Sequence, residues 1–383
     1  MLIQLRPMTR NPSFPTAFGA SITARGGDES CEGLPPAKEI PMTDHPRPGA
    51  RNLITDVPGL KVGQAHDASA RTGVTVILPD SPAVAACVVG GGGPGTRETD
   101  ALAPENLVEA IDAIVLSGGS VYGLGAADGL AAWLGARGRG FALVAREGVP
   151  PSPVIPAAIL YDLANGGTKA WDETPPYRAL AIAAAEAAGE AFDLGTAGAG
   201  YGAMAGALKG GVGSASVVTT DGLSVGAIAA VNSFGSVVAP GGRAFWAAPF
   251  EIGDEFGGLG AAGLSGPPDD WGLAKGPAAP RENTTIACVA TDAVLTPAQA
   301  KRLALMAQAG LARAIRPVFA PFDGDVVFAL STGRQPLPDP ANLSLARLGA
   351  LAADALARAV ARGVYAATPW DAPGPACWRD LPG

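Results

Sequence analysis

From Asn52 onward the apolar positions fall into two spacings, and together they predict a chain that alternates strands and helices. Short, nearly unbroken apolar runs predict strands at Leu60–Asp67, Gly73–Pro79 and Ala83–Gly91. The stretch Asn106–Ser120 reads as a short helix leading into a strand that ends at Ser117-Gly118-Gly119-Ser120, and a helix closed by glycine follows over Val121–Gly138. Val154–Leu163 predicts another strand, and Pro175–Phe192, opened by two prolines, a strong helix. Strands punctuated by Asp221-Gly222 and Asn232-Ser233 fill Gly213–Val238, with Asp-Gly as a hairpin signal. After an aperiodic Gly/Pro-rich stretch over about 248–283, order returns. A strand is predicted over Thr285–Ala290, a helix capped by Thr296 ahead of Pro297, a strand over Asp325–Thr332 and an Ala/Leu helix from about Pro340 to Arg362.

Both blocks mix strands and helices, so residues 46–383 are expected to form one layered α/β domain interrupted by a loop, since a long aperiodic segment inside a compact domain is a lid, a linker or a flexible stretch. Residues 1–45 read as a disordered Pro/Gly/Ser-rich tail without the apolar core of a secretory signal, and Met42 is a candidate start.

Composition narrows the function. Apolar residues make up 48% of the 383, enough for a large core. The net charge of −8 argues against nucleic acid, whose phosphates call for Lys and Arg. No apolar segment escapes interruption long enough to span a bilayer. Of the four cysteines, Cys31, Cys87, Cys288 and Cys377, two sit inside apolar runs and none forms a C-x-x-C pair; buried free thiols fit a reducing, cytoplasmic setting.

The chemistry is narrowed most by what is scarce. The chain has two histidines, with His45 in the tail and His66 read as part of a turn, so a His-based triad or a His-rich metal site has little to build on. Gly222-Leu223-Ser224-Val225-Gly226 matches G-x-S-x-G by letter, but it lacks the strand–Ser–helix context and any downstream His. The glycine tracts Gly90–Gly93 and Gly118-Gly119 match no nucleotide-binding fingerprint; close strand–helix packing is the leading reading, and a substrate-lining loop the other. Asp323-Gly324-Asp325 places two carboxylates on one side of a strand start, and as a bare motif it reads as turn chemistry. No cofactor or metal is implied.

One stretch remains, Pro280–Thr296 (PRENTTIACVATDAVLT), where adjacent hydroxyls open an apolar strand. It admits an ordinary strand start. It also admits an N-terminal nucleophile, which needs no histidine: its own α-amine, with a pKa of about 7.7–8.0, is a base near neutral pH. Such a residue arises when its hydroxyl attacks the preceding carbonyl and water opens the resulting ester.

Separated stretches in order along the chain resemble the self-cleaving L-aminopeptidase/D-esterase (DmpA-like) peptidases, which include β-peptidyl aminopeptidases and nylon-oligomer (6-aminohexanoate oligomer) hydrolases. They are Ile54–Ala65, Gly92–Asp100, Ala113–Leu124, Ala158–Leu163, Gly195–Gly211, Val231–Gly235, Asn283–Thr296 and Pro321–Gly333. The resemblance implies cleavage between Asn283 and Thr284, giving an α chain of residues 46–283 and a β chain of residues 284–383. It implies Thr284 as nucleophile, Asn232 as an oxyanion-hole donor, Lys209 and Tyr161 beside the nucleophile, and Asp323 with Asp325 as the acidic pair that orients it. Threonine at 284 and the two aspartates place the chain nearer the nylon-oligomer branch than the serine branch; an Arg that those enzymes carry near Gly90 is missing here. The implied fold is a four-layer αββα sandwich of the N-terminal-nucleophile-hydrolase kind, similar also to the ornithine acetyltransferases. The implied partners are a small peptide or oligoamide substrate and further copies of the chain, as a homo-oligomer (a tetramer of αβ units). Acyl transfer and a non-catalytic binding role stand as the alternatives.

Overall fold

A computed structural model describes residues 45–144, 146–262, 264–267, 269–276, 283–371 and 373–382. The expected tail, the candidate start Met42 and Cys31 lie outside the described residues. The strands are β1 (Leu60–Asp67), β2 (Thr72–Pro79), β3 (Val84–Val89), β4 (Thr96–Arg97), β5 (Ile114–Ser117), β6 (Ala157–Ile159), β7 (Met204–Ala205), β8 (Leu208–Lys209), β9 (Gly211–Val218), β10 (Ser224–Asn232), β11 (Thr284–Ala293) and β12 (Val326–Gln335). The helices are α1 (Gly125–Gly135), α2 (Tyr177–Glu186), α3 (Pro297–Ala307), α4 (Ala309–Ala314) and α5 (Ala341–Tyr365).

Two five-stranded sheets carry the fold, one in the order β1-β2-β5-β6-β4 and the other β3-β12-β11-β10-β9. The period of two along each strand sorts side chains between layers. Ile286, Cys288 and Ala290 of β11, with Val326, Phe328 and Leu330 of β12, join Ile77, Ile114 and Leu116 of the first sheet in a core between the sheets. The intervening Ala287, Val289, Val327 and Ala329 face α3, α4 and α5. Val74, Val76 and Val115 of the first sheet face α1 and α2. The result is helix, sheet, sheet, helix: the four-layer αββα sandwich. Strands buried on both faces explain why the sequence shows near-continuous apolar runs instead of alternation.

Several elements differ from their sequence reading. The stretch Asn106–Asp112 forms no helix, and the following strand is only Ile114–Ser117. The helix opened by the two prolines stops at Glu186. The single helix expected after Thr296 is two, α3 and α4, joined at Gln308; Thr296 is its cap, accepting the Gln299 amide at 3.2 Å. His66 sits on β1, its ring stacked on Tyr201 at 4.3 Å, not in a turn. Ser224 opens β10 after a hairpin whose Gly222 has φ +87°, so the G-x-S-x-G letters lie between two strands, out of the hydrolase-elbow context. Cys87, Cys288 and Cys377 are buried free thiols.

The aperiodic stretch is tied down in its first part. Arg358 on α5 pairs with Glu255 (Nε to Oε1 2.5 Å, Nη2 to Oε2 2.9 Å) and donates to the Ser216 carbonyl at 2.9 Å and to Asn52 Oδ1 at 2.8 Å. Asn52 Nδ2 closes the network on Glu255 Oε2 at 2.6 Å. No helix among the described residues is long and apolar enough to cross a membrane.

Candidate active site

The site forms where β10 ends and two central strands begin. Asn232 is the last residue of β10 and Thr284 the first of β11, and the antiparallel register sets them directly opposite each other. Both continue the rows that face the inter-sheet core, through Ile228 and Ala230 on one strand and Ile286 and Cys288 on the other, so their side chains share a face at its rim. Thr285 lies on the opposite face, fully buried. Its hydroxyl has no hydrogen-bond partner among the described residues.

Thr284 is 4% exposed and Asn283 2%. The Thr284 hydroxyl donates to the Asn283 carbonyl oxygen, against the bond it would have to attack. Gly324 N–H donates to the same oxygen at 3.2 Å.

Asn232 is held from three sides. Its Nδ2 donates to the Tyr161 carbonyl at 3.0 Å, and its Oδ1 accepts from the Met204 amide at 2.9 Å. Lys275 Nζ donates to its carbonyl at 3.3 Å and lies 3.5 Å from Oδ1. Tyr161 therefore enters through its main chain. Lys209 is completely buried, with Nζ donating to the carbonyls of Gly200, Ala203 and Gly210 at 3.3, 3.2 and 2.9 Å, and lying 4.9 Å from the Trp370 ring. Its hydrogen bonds do not reach Thr284. Burial pulls its ammonium down to about 7 against weaker support from Cys377 and Asp162.

The acidic pair closes the other side. Asp325 accepts the Thr285 amide on Oδ1 at 2.7 Å and the Phe319 amide on Oδ2 at 3.1 Å, so it seats the second threonine's main chain instead of touching Thr284. Asp323 accepts the Ala320 amide on Oδ2 at 3.3 Å, while its buried Oδ1 has no hydrogen-bond partner among the described residues. Burial pushes both carboxyls well above the ordinary range, and the charge of Asp323 pushes Asp325 further; Lys275 draws Asp323 back down. Two like carboxyls this close do not both ionise readily.

Sequence reasoning missed Lys275, which lies in the aperiodic stretch where no spacing marks it, and Gly324, whose importance is in lacking a side chain. The D-G-D motif did contain Gly324; its contact with Thr284 came only with the fold.

A protein-family model, Peptidase family S58, matches residues 52–374. The chain belongs to peptidase family S58. It is similar to an uncharacterized aminopeptidase of Mycobacterium tuberculosis (strain ATCC 25618 / H37Rv), 44% identical over 342 residues that cover 83% of this chain and 95% of the relative. It is also similar to the 6-aminohexanoate-oligomer endohydrolase of Kocuria sp. (strain KY2), 29% identical over 78% of this chain and 80% of that protein. Among solved structures, the β-aminopeptidase of a Burkholderia species aligns with a TM-score of 0.63 at 24% identity, covering 84% of this chain and 89% of that one. The L-aminopeptidase D-Ala-esterase/amidase of Ochrobactrum anthropi, described as a variant of the Ntn hydrolase fold, aligns with a TM-score of 0.62 at 22% identity, over 85% and 91%. The fold of this S58 chain is thus the Ntn-hydrolase kind, and the chain is a hydrolase. Relatives named as hydrolases favour hydrolysis over acyl transfer.

Proposed function

We propose that this S58 hydrolase cuts its own Asn283–Thr284 bond and then works as an N-terminal-nucleophile aminopeptidase or amidase on small peptides or oligoamides. The observation that carries the reading is Thr284 itself: it heads a central strand opposite Asn232, with its hydroxyl lying on the carbonyl that precedes it. In the first stage the hydroxyl adds to the Asn283 carbonyl carbon, the C–N bond breaks, the hydroxyl proton ends on the departing nitrogen, and an ester joins the two segments. That shift already frees the Thr284 α-amine; water then hydrolyses the ester, freeing the Asn283 carboxylate and the Thr284 hydroxyl.

In the mature enzyme that amine is the general base, its pKa near neutrality suiting it to take and return a proton. Thr284 attacks the substrate amide, Asn232 Nδ2 stabilises the developing oxyanion, and water resolves the acyl-enzyme. Asp323 and Asp325 carry the positioning role, Asp325 by seating the strand through the Thr285 amide and Asp323 by presenting Oδ1 to the new ammonium. Lys209 braces the loop beneath Asn232 through the Gly200 and Ala203 carbonyls. Cleavage has a second consequence: Thr284 and Asn283 are sealed while joined, so separation of the α-chain end is what admits substrate. The aminopeptidase names among the relatives at 44% identity support a substrate with a free amine, and the oligoamide hydrolase at 29% an internal amide. Assembly as a homo-oligomer of αβ units in the cytoplasm belongs to the same reading; the native mass of the purified protein checks the assembly.

Denaturing electrophoresis with N-terminal sequencing tests the proposal. The expected result is two chains, the smaller beginning Thr-Thr-Ile-Ala-Cys, with Thr284→Ala remaining single and inert. A single intact chain that hydrolyses amides would sink it, and cleavage that depends on Thr285 but survives Thr284→Ala would move the nucleophile by one residue.

A further inference from the structure

The glycine tract Gly90–Gly93, unassigned by any nucleotide-binding pattern, lies against the acidic motif. Gly90 and Gly91 amides donate to the Asp325 carbonyl at 2.9 and 3.2 Å, and Gly93 donates to the Asp323 carbonyl at 2.7 Å. The approach is so close that a Cβ at Gly91 would stand 2.6 Å from the Asp325 nitrogen. Main chain on main chain, the tract holds both ends of Asp323-Gly324-Asp325 and leaves the middle residue's amide to turn elsewhere.

That amide points at the bond to be cut, 3.2 Å from the Asn283 carbonyl oxygen. The missing side chain matters equally, because a Cβ at Gly324 would stand 2.6 Å from Thr284 Oγ1 and 3.0 Å from the Gly93 carbonyl oxygen. The parallel register explains the placement: Ile286 pairs with Val326, and stepping back two residues on each strand brings Thr284 alongside Gly324.

We infer that Gly324 N–H is an oxyanion donor of the self-cleavage step, clasped in place by Gly90–Gly93, and that glycine is required there to leave room for the attacking hydroxyl. This rests on the autocleavage reading above. When Thr284 Oγ bonds to the Asn283 carbon, the carbonyl π pair moves onto the oxygen that Gly324 already contacts. The negative charge then strengthens that hydrogen bond at the moment it lowers the barrier. Asn232 Nδ2 is occupied by the Tyr161 carbonyl with one of its N–H groups, so the self-cleavage and substrate reactions need not use the same first donor.

The test replaces the Gly324 amide by an ester, with glycolic acid introduced at position 324 of the full chain, and follows conversion of one chain to two. Loss of one such donor is expected to slow conversion about 100-fold, within the range for oxyanion-hole donors. The same replacement at Gly93 removes the donor to Asp323 but not the one to Asn283, and is expected to slow conversion at least about tenfold less. Equal slowing at the two positions, or wild-type speed at 324, overturns the inference. Hydrogen exchange provides a second reading that needs no ester: the Gly324 amide should be protected in uncut Thr284→Ala and exchange faster in the split wild type. Fast exchange in the uncut chain also overturns it. If wild-type protein never splits, the autocleavage reading fails; if it splits and Gly324 is indifferent, only this assignment fails.

Discussion

At the scale of single residues, the site is a set of ordinary side chains given unusual settings by burial. Asp323 and Asp325 ionise well above the usual carboxylate range because water is excluded, and Asp325 further because its neighbour is charged. Should one of the two carboxyls relay the hydroxyl proton to the departing nitrogen, it must be ionised to do so, and the rate of self-cleavage should then rise with pH through this raised range instead of levelling off just above pH ~4, where a free carboxylate of its type titrates. A pH–rate profile of chain conversion decides it; an acid limb near pH ~4 would rule out such a relay through the pair. Lys275 makes a finer prediction. Its cation favours the ionised form of Asp323, so Lys275→Ala should move the acid limb upward, while Lys275→Arg should leave it near the wild-type position. A purely structural loop residue would lower the rate without moving the limb. Thr284→Ser keeps a hydroxyl and should still split, whereas Thr284→Ala should not split at all, as denaturing electrophoresis of the two variants would show. Thr284 and Asn283 were singled out by the resemblance to the self-cleaving peptidases; the residues alone, a hydroxyl at a strand start in a chain nearly without histidine, left an ordinary strand start open as well. Lys275 was singled out by neither, because its position follows from how an aperiodic segment folds back onto β10.

At the scale of elements, the central sheet is built for close approach to its covering helix. Glycines on β9 let α5 lie directly on the strand: a Cβ at Gly213 would overlap the Ala359 carbonyl oxygen and stand 2.7 Å from the Gly363 Cα. Gly213→Ala should therefore cost at least about 1–3 kcal/mol, the usual range for overpacking a tight interface, and lower the midpoint of thermal unfolding by several degrees. An unchanged midpoint would show that helix and strand can separate freely. The strands were readable as apolar runs and the hairpin of β9 and β10 from Asp221-Gly222. The short helix expected at the start of Asn106–Ser120 does not form; Ile111 and Ala113 are buried there while Leu107 is 75% exposed. The α3/α4 break was hidden too, since Gln308 looks helical in isolation and the bend serves packing on α5.

For the whole molecule, the site is assembled by long-range contacts that sequence spacing does not display. One buried network spans widely separated parts of the chain: Arg358 of α5, Glu255 of the aperiodic stretch, Asn52 near the start of the described residues and Ser216 of β9. Arg358 is fully buried, so Arg358→Ala leaves Glu255 with only Arg362, at 3.6 Å, to offset its charge and should cost up to about 3–5 kcal/mol, read as a fall in the denaturant midpoint. Arg358→Met with Glu255→Gln should recover part of the loss, since Glu255's charge goes together with its main partner; no recovery would mean the network matters through packing alone. What the sequence determined by itself was the alternation of strands and helices and the acidic, histidine-poor chemistry, because these depend on local periodicity and residue type; the candidate bond at Asn283–Thr284 came from the family resemblance. What only the tertiary structure decided was which face each threonine takes, that Asp325 seats Thr285, that Lys275 reaches Asn232, and that Gly324 meets the Asn283 carbonyl. Those depend on strand register and on main chain packed against main chain, and neither is written in local spacing.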